Sequence, residues 1–285
     1  MAKKIFITGG NGQLGRALAE YYPEATITDH ATFDITDESK VESFNWADYE
    51  VIINAAAYVN ADDSETNEAR EKTWLVNASG PRNLARVAIR YGLQLIHVSS
   101  EYVFDGIKHD HDEDETFSPL SVYGETKAAA DLAVSLVSKH HILRTSWVVG
   151  DGHNFVKTMK NLADMRINPR VVNDQFGRLT FTSELVRAID HIITKDIPVG
   201  TYNLTNSGAI RSWAEIAALI FELAGHDKNR VKFITTDEYK KDKYPFAPRP
   251  IHSDLNLLKI QKTGFESIDY DALLPIYINN IESAE

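Results

Sequence analysis

Residues 3–15 constrain this chain more than any other stretch. Residues 3–8, Lys-Lys-Ile-Phe-Ile-Thr, form a short apolar and β-branched run that reads as a buried parallel strand. It passes straight into Gly9-Gly10-Asn11-Gly12-Gln13-Leu14-Gly15, and residues 16–22 then follow a helical pattern. A strand, a glycine turn and a helix in that order make a phosphate site. Glycines let the backbone approach a pyrophosphate, which sits on the free N–H groups of the helix start. The spacing Gly9-x-x-Gly12-x-x-Gly15 is looser than G-x-G-x-x-G, and an ordinary strand-to-helix turn is the alternative reading.

Strands and helices keep alternating beyond the turn, which predicts an α/β protein with a doubly wound parallel sheet. Residues 25–28 read as a second strand ending at Asp29, where an adenosine ribose would offer its hydroxyls or where the carboxylate simply caps a turn. Arg16 and His30 lie near enough in sequence to serve a 2′-phosphate, so NADH and NADPH both stay open. Asp34-Ile35 precedes a helix and is a candidate to flank an adenine. A third strand, residues 50–53, delivers Ala55-Ala56-Ala57, small residues that leave room for a flat ligand over the sheet edge. Residues 62–91 read mainly as helix, with Asn77 inside and Pro81 marking a kink or restart.

The fourth strand, residues 93–98, ends in Ser99-Ser100-Glu101. Ligands collect outside the carboxyl ends of such strands, so Ser100 and Glu101 are expected to face the crevice that the glycine loop opens into. On the next helix Tyr123 and Lys127, four positions apart, share one face. A phenol ordinarily titrates near about 10, and an adjacent ammonium is expected to lower it, making a proton donor for a sugar or alcohol oxygen. After a fifth strand at residues 141–143 the rhythm loosens. Helices are expected over 155–163, 183–193 and 212–223, and short strands over 170–173, 200–204 and 231–234. The proline-rich residues 244–250 read as an ordered loop carrying Arg249, either a phosphate ligand or a surface arginine stiffened by prolines.

The chain's 285 residues include no cysteine, which excludes disulfides and thiolate chemistry. Its formal net charge of −11 argues against nucleic acid or an anionic membrane as the main partner. No signal-like or membrane-spanning stretch is visible, so a cytoplasmic protein is expected. The acidic run at 110–115 reads as a solvated loop without chemistry.

These pieces together resemble the extended short-chain dehydrogenase/reductases, and among them the dTDP-4-dehydrorhamnose reductase family. The matching stretches are TGGNGQLG at 8–15, NAAAYVNADDSE at 54–65, HVSSEYVFDG at 97–106 and SVYGETK at 121–127. RTSWVVGDGHNFVKTM at 144–159, VVNDQFGRLT at 171–180 and PRPIHSDLN at 248–256 continue the match in order along nearly the whole chain. The resemblance implies a Rossmann domain for NADPH or NADH over residues 1–149, with part of 170–205 returning to it. A smaller nucleotide-sugar domain would occupy most of 150–285.

By the same resemblance Tyr123 protonates the oxygen as hydride reaches C4 of the keto sugar. Lys127 lowers the Tyr123 pKa and holds the nicotinamide ribose, and Ser100 hydrogen-bonds the ketone. Gly9, Gly12, Gln13, Leu14, Gly15, Asp29, Asp34, Ile35, Ala55, Ala56 and Ala57 correspond to cofactor contacts. Trp147 would pack on the sugar, and Asn154, Gln175 and Arg249 would face the nucleotide diphosphate. Ser100 stands where the family usually has Thr, and Glu101 where it usually has Asp, which changes the sugar contact by one methylene. Some members bridge a dimer through magnesium with a glutamate just after the glycine loop. This chain has Ala17 there and ends soon after Ile281-Glu282, so no metal site and a monomer are expected. A reductase or epimerase for another nucleotide sugar, and a non-catalytic binding subunit on the same fold, remain as alternatives.

Overall fold

The computed structural model describes residues 3–241 and 243–281, and Glu282, mentioned above with the chain's end, lies outside them. The first half alternates as its sequence demands. It runs β1 (Ile5–Thr8), α1 (Gln13–Tyr21), β2 (Thr26–Ile27), α2 (Glu38–Ser43) and β3 (Val51–Asn54). Then come α3 (Ala61–Ser64), α4 (Asn67–Trp74), α5 (Gly80–Tyr91), β4 (Gln94–Ser100), α6 (Val122–Val134) and β5 (His140–Thr145). The second half is made of shorter pieces: β6 (Val148–Val149), α7 (Phe155–Asp164), β7 (Arg170–Val172), β8 (Phe176–Gly177) and β9 (Thr180–Phe181). It continues with α8 (Thr182–Lys195), β10 (Gly200–Asn203), β11 (Arg211–Ser212), α9 (Trp213–Leu223) and β12 (Lys232–Ile234). Helices α10 (Thr236–Lys240), α11 (Leu258–Gln261) and α12 (Tyr270–Asn280) complete the described chain.

Among the described residues the main sheet has six strands in the order β10-β5-β4-β3-β1-β2, every pair parallel. The expected doubly wound parallel sheet is therefore present. Strands β1, β3, β4 and β5 are buried on both faces, which explains their continuous apolar runs. One face carries α1 and α8, and Leu14, Leu18, Leu185 and Ile189 join Ile7, Ile53 and Ile96 in one core. The opposite face packs Leu84, Val87 and Ala88 of α5 over Phe6, Ile52 and Leu95. A separate core of Val156, Ile216, Ile220, Phe221 and Leu274 supports the second half. Between the two halves the chain doubles back: α8 belongs to the first core, and β10 pairs with β5 from Gly200↔His141 to Asn203↔Arg144.

The order reverses at β1, with β2 on one side and β3 on the other, so the loops after β1 and β3 diverge there. The C-terminal ends of three strands are tied by a buried polar row. Thr8 donates to Asn54 at 2.7 Å, and Asn54 meets His97 at 2.9 Å.

One expectation holds in outline and another needs correction. Residues 62–91 are mainly helical, as read: after the short α3, helices α4 and α5 run on through a π-helical turn at Leu75–Ser79, and Pro81 lies in the first turn of α5. Asn77 sits in that turn and holds Tyr58 through both its N–H (2.7 Å) and its C=O (2.9 Å). The acidic run at 110–115 is not merely solvated. Glu113 accepts the Asn203 N–H at the end of β10 (2.8 Å), and Arg144 donates to its carbonyl (3.0 Å). Composition marks such a run as surface; only the fold supplies strand-end donors for it.

Candidate active site

A cleft of about 670 Å³ opens at the C-terminal ends of the main strands. On the sheet side it is lined by Gly12, Gln13 and Leu14, by Ala55 and Ala57, and by Ser100, Glu101, Tyr123 and Lys127. Trp147, His153 and Trp213 close the other side. Gly9 takes φ +78°, and a Cβ on it would lie 2.6 Å from the Ala55 carbonyl carbon, so the turn after β1 presses against the one after β3. Helix α1 starts at Gly12 with no side-chain cap and no acidic residue in its first turn. Its first N–H groups, at the positive end of the helix dipole, thus remain open to an anion in the cleft.

The tyrosine helix is placed by two short-range devices. Ser121 caps α6 by accepting the Gly124 N–H at 3.2 Å. A Cβ at Gly124 would lie 2.3 Å from the Tyr102 carbonyl oxygen, so only glycine lets α6 lie this close to the turn after β4. Tyr123 then stands edge-on to Tyr102 at 5.4 Å, within hydrogen-bonding reach of Ser100. Lys127, 2 % exposed, donates to the Val98 carbonyl at 2.8 Å.

The electrostatics differ from expectation. Burial, followed by the Glu101 carboxylate, pushes the Tyr123 phenol above its ordinary value, with Ser100 pulling weakly the other way. Burial also pulls Lys127 down to about 8. The expected lowering of Tyr123 by Lys127 is therefore corrected: burial raises the phenol, and the Lys127 ammonium is aimed at the Val98 carbonyl. Glu101 is raised to about 7 by burial, against hydrogen bonds from Ser100 and Ser253. Ser100 Oγ donates to Glu101 Oε2 at 2.7 Å and accepts the Tyr102 N–H at 3.2 Å.

Several candidate residues lie elsewhere. Asp29 sits beside the glycine loop, where it accepts from Asn11, Ala31 and Thr32 and is held below the usual carboxylate range chiefly by the Thr32 N–H. Asp34 caps its own turn through Thr36, and Ile35 is core under Gly80. Arg16, by contrast, lines the cleft, where it pairs with Asp151 at 3.0 Å. Asn154 caps α7 and ties Gly150 to Tyr277, Gln175 donates to Thr236, and neither lines the cleft. Arg249 pairs with Asp62 at 2.8 Å. These side chains already have protein partners, which sequence spacing does not reveal.

Trp147 takes φ +46°, an uncommon backbone for a bulky residue, and stacks on Trp213 with ring centroids 3.6 Å apart. Sequence reading passed over Trp213 and Tyr102. Trp213 had a signal, an aromatic at the very start of an amphipathic helix, but its place at the cleft depends on how the second half folds over the first.

The profile of the RmlD substrate binding domain family matches residues 3–283. The chain belongs to that family. Its sequence is 37% identical, over 95% of this chain and 97% of the relative, to a dTDP-4-dehydrorhamnose reductase of Aggregatibacter actinomycetemcomitans. In structure it is similar to a dTDP-4-dehydrorhamnose reductase from Clostridium acetobutylicum ATCC 824 (TM-score 0.88, 37% identity, 97% and 98% of the two chains). It is also similar to one from Bacillus anthracis str. Ames, described in complex with NADP (TM-score 0.87, 32% identity, 99% of each chain).

Proposed function

We propose that this family member is an NAD(P)H-dependent oxidoreductase that reduces the C4 ketone of dTDP-4-dehydro-L-rhamnose to dTDP-L-rhamnose. The observation that carries the reading is the convergence of Ser100, Tyr123 and Lys127 on the cleft that also holds the uncapped start of α1. The cleft fits a dinucleotide: an anion-accepting helix start, small side chains at Ala55 and Ala57, and a buried ammonium at the far end. The N–H groups of Gln13 and Leu14 would take the pyrophosphate, and Lys127 the nicotinamide ribose; the Gly12 N–H is already given to the Gly9 carbonyl at 2.9 Å. A reduced nicotinamide held in this way would supply the hydride for C4.

The chain's own residues handle the proton. Tyr123, kept protonated by burial, gives its hydroxyl proton to the C4 oxygen as negative charge builds there. Ser100 positions that oxygen by a hydrogen bond. Its hydroxyl hydrogen is now committed to Glu101; when the carboxyl is protonated it donates to Ser100 Oγ instead and frees that hydrogen for the ketone. The stacked Trp147 and Trp213 offer a flat apolar wall for the sugar.

Residues 1–149 with the returning 182–203 form the cofactor half in this reading, and the remainder the sugar half. No helix among the described residues is long and apolar enough to cross a membrane, and the proposed setting is the cytoplasm. With Ala17 in place of the bridging glutamate, the chain is read as a monomer, which light scattering checks. The functional test is direct. Purified protein is mixed with the keto sugar, made in situ by the preceding enzymes, and the absorbance of NADPH or NADH is followed. Oxidation of neither cofactor overturns the reading.

A further inference from the structure

Away from the cleft, the loop after β4 meets the segment that follows the proline-rich loop. The first carries His109, the second His252 and Asp254. The two imidazole rings lie 3.6 Å apart, centroid to centroid. His109 Nδ1 is 3.5 Å and His252 Nδ1 3.9 Å from the same atom, Asp254 Oδ1. Neither separation is a good hydrogen bond. The Asp254 side chain is 0% exposed, yet Oδ1 has no hydrogen-bond partner, and His252 Nδ1 has none either. A fully buried carboxylate oxygen facing two nitrogens and bonded to none is a costly arrangement for a protein to keep without something between them.

We propose that His109, His252 and Asp254 bind one divalent d-block cation of the zinc class. Bonds of about 2.0–2.1 Å in a tetrahedron set ligand atoms about 3.3 Å apart. The His109 to Asp254 separation, 3.5 Å, is close to that value, the His252 to Asp254 separation, 3.9 Å, would contract on binding, and all three ligand atoms lie within 4.8 Å of one another. Two imidazole nitrogens with one carboxylate oxygen suit zinc, cobalt, nickel or copper rather than magnesium or calcium, which prefer all-oxygen shells. The site is also supported from behind. The Asp110 N–H holds Asp254 Oδ2 at 2.7 Å, fixing the carboxylate so that Oδ1 points at the imidazoles. His109, 65% exposed, leaves the fourth position to water.

The ion's role is a clamp between the two loops. Ser253, between two of the ligands, hydrogen-bonds Glu101 in the cleft wall, so the clamp would steady that wall without taking part in hydride transfer. The site does not depend on the reductase reading and is tested separately from it.

Tag-free protein, stripped with chelator and dialysed, is titrated with Zn²⁺ by calorimetry and with Co²⁺ by visible absorption. One equivalent per chain is expected, with a Co²⁺ d–d band and a higher Tm in the presence of Zn²⁺. His109→Ala, at an exposed position that the fold does not need, should weaken binding at least about 10-fold, the scale that even outer-shell changes reach. His252→Ala should do the same with the circular dichroism spectrum unchanged, while His30→Ala, an exposed imidazole elsewhere, should bind as the parent does. Absence of stoichiometric uptake, uptake indifferent to His109→Ala, or uptake reduced by His30→Ala each overturns the proposal.

Discussion

Replacing Glu101 by glutamine probes the cleft wall through pH. The carboxyl is 3% exposed, and burial raises it from 4.5 to about 7. Between those values the folded protein holds a proton that the unfolded chain has released, so stability falls as pH rises. The contribution is whole below about 4.5 and lost above about 7. At 1.36 kcal/mol per pH unit the interval amounts to about 3 kcal/mol. The amide of Glu101→Gln has nearly the same shape and does not titrate. The variant should therefore gain about 3 kcal/mol on the parent between about pH 4.5 and about pH 8, as read from urea melts across that range. Other titrating groups cancel in the difference. A parent-to-variant difference flat in pH would refute the claim that burial holds this carboxyl protonated. Turnover supplies a second reading. The parent's kcat should decline as pH rises through about 7, when ionised Glu101 recaptures the Ser100 hydrogen, and the variant's profile should lose that limb.

Tyr123→Phe should lower kcat about 10²–10⁴-fold with NAD(P)H affinity unchanged by fluorescence titration; equal loss of cofactor binding would count against the proton-donor role. Arg144→Met strands Asp131, its buried partner at 2.9 Å, and should cost about 3–5 kcal/mol in urea denaturation. A loss below about 1 kcal/mol would mean that the pair is screened as surface pairs are. Trp213→Ala removes half of the Trp147 stack and should raise KM for the nucleotide sugar roughly 2- to 10-fold with KM for the cofactor unmoved. A parallel rise in both constants would place the stack in domain packing rather than at the sugar.

The local signals in this chain were strong where one short segment does a job by itself. The glycine turn after β1 follows from a backbone approach that only glycine permits, and the Tyr123/Lys127 face from helical spacing. Buried strands announced themselves as apolar runs because the sheet is covered on both faces. Residues 16–22, 155–163 and 183–193 similarly carry their helical period in one stretch of sequence, close to α1, α7 and α8 as observed. The π turn inside the helical stretch 67–91 was hidden, since it is stabilised by what Asn77 reaches, Tyr58, and not by a residue pattern.

The sequence by itself determined the parallel sheet, the glycine turn that leads into an uncapped helix start, and the shared helix face of Tyr123 and Lys127 on which the proposed proton transfer rests. The tertiary structure alone decided how acidic those side chains are, because desolvation depends on which distant residues cover them. It also decided which polar residues remain available: Asn154, Gln175 and Arg249 are engaged by Tyr277, Thr236 and Asp62, residues far away in the chain. And it alone brought His109 to within 3.5 Å of Asp254, since a contact across that many residues is made by folding and is written in no local pattern.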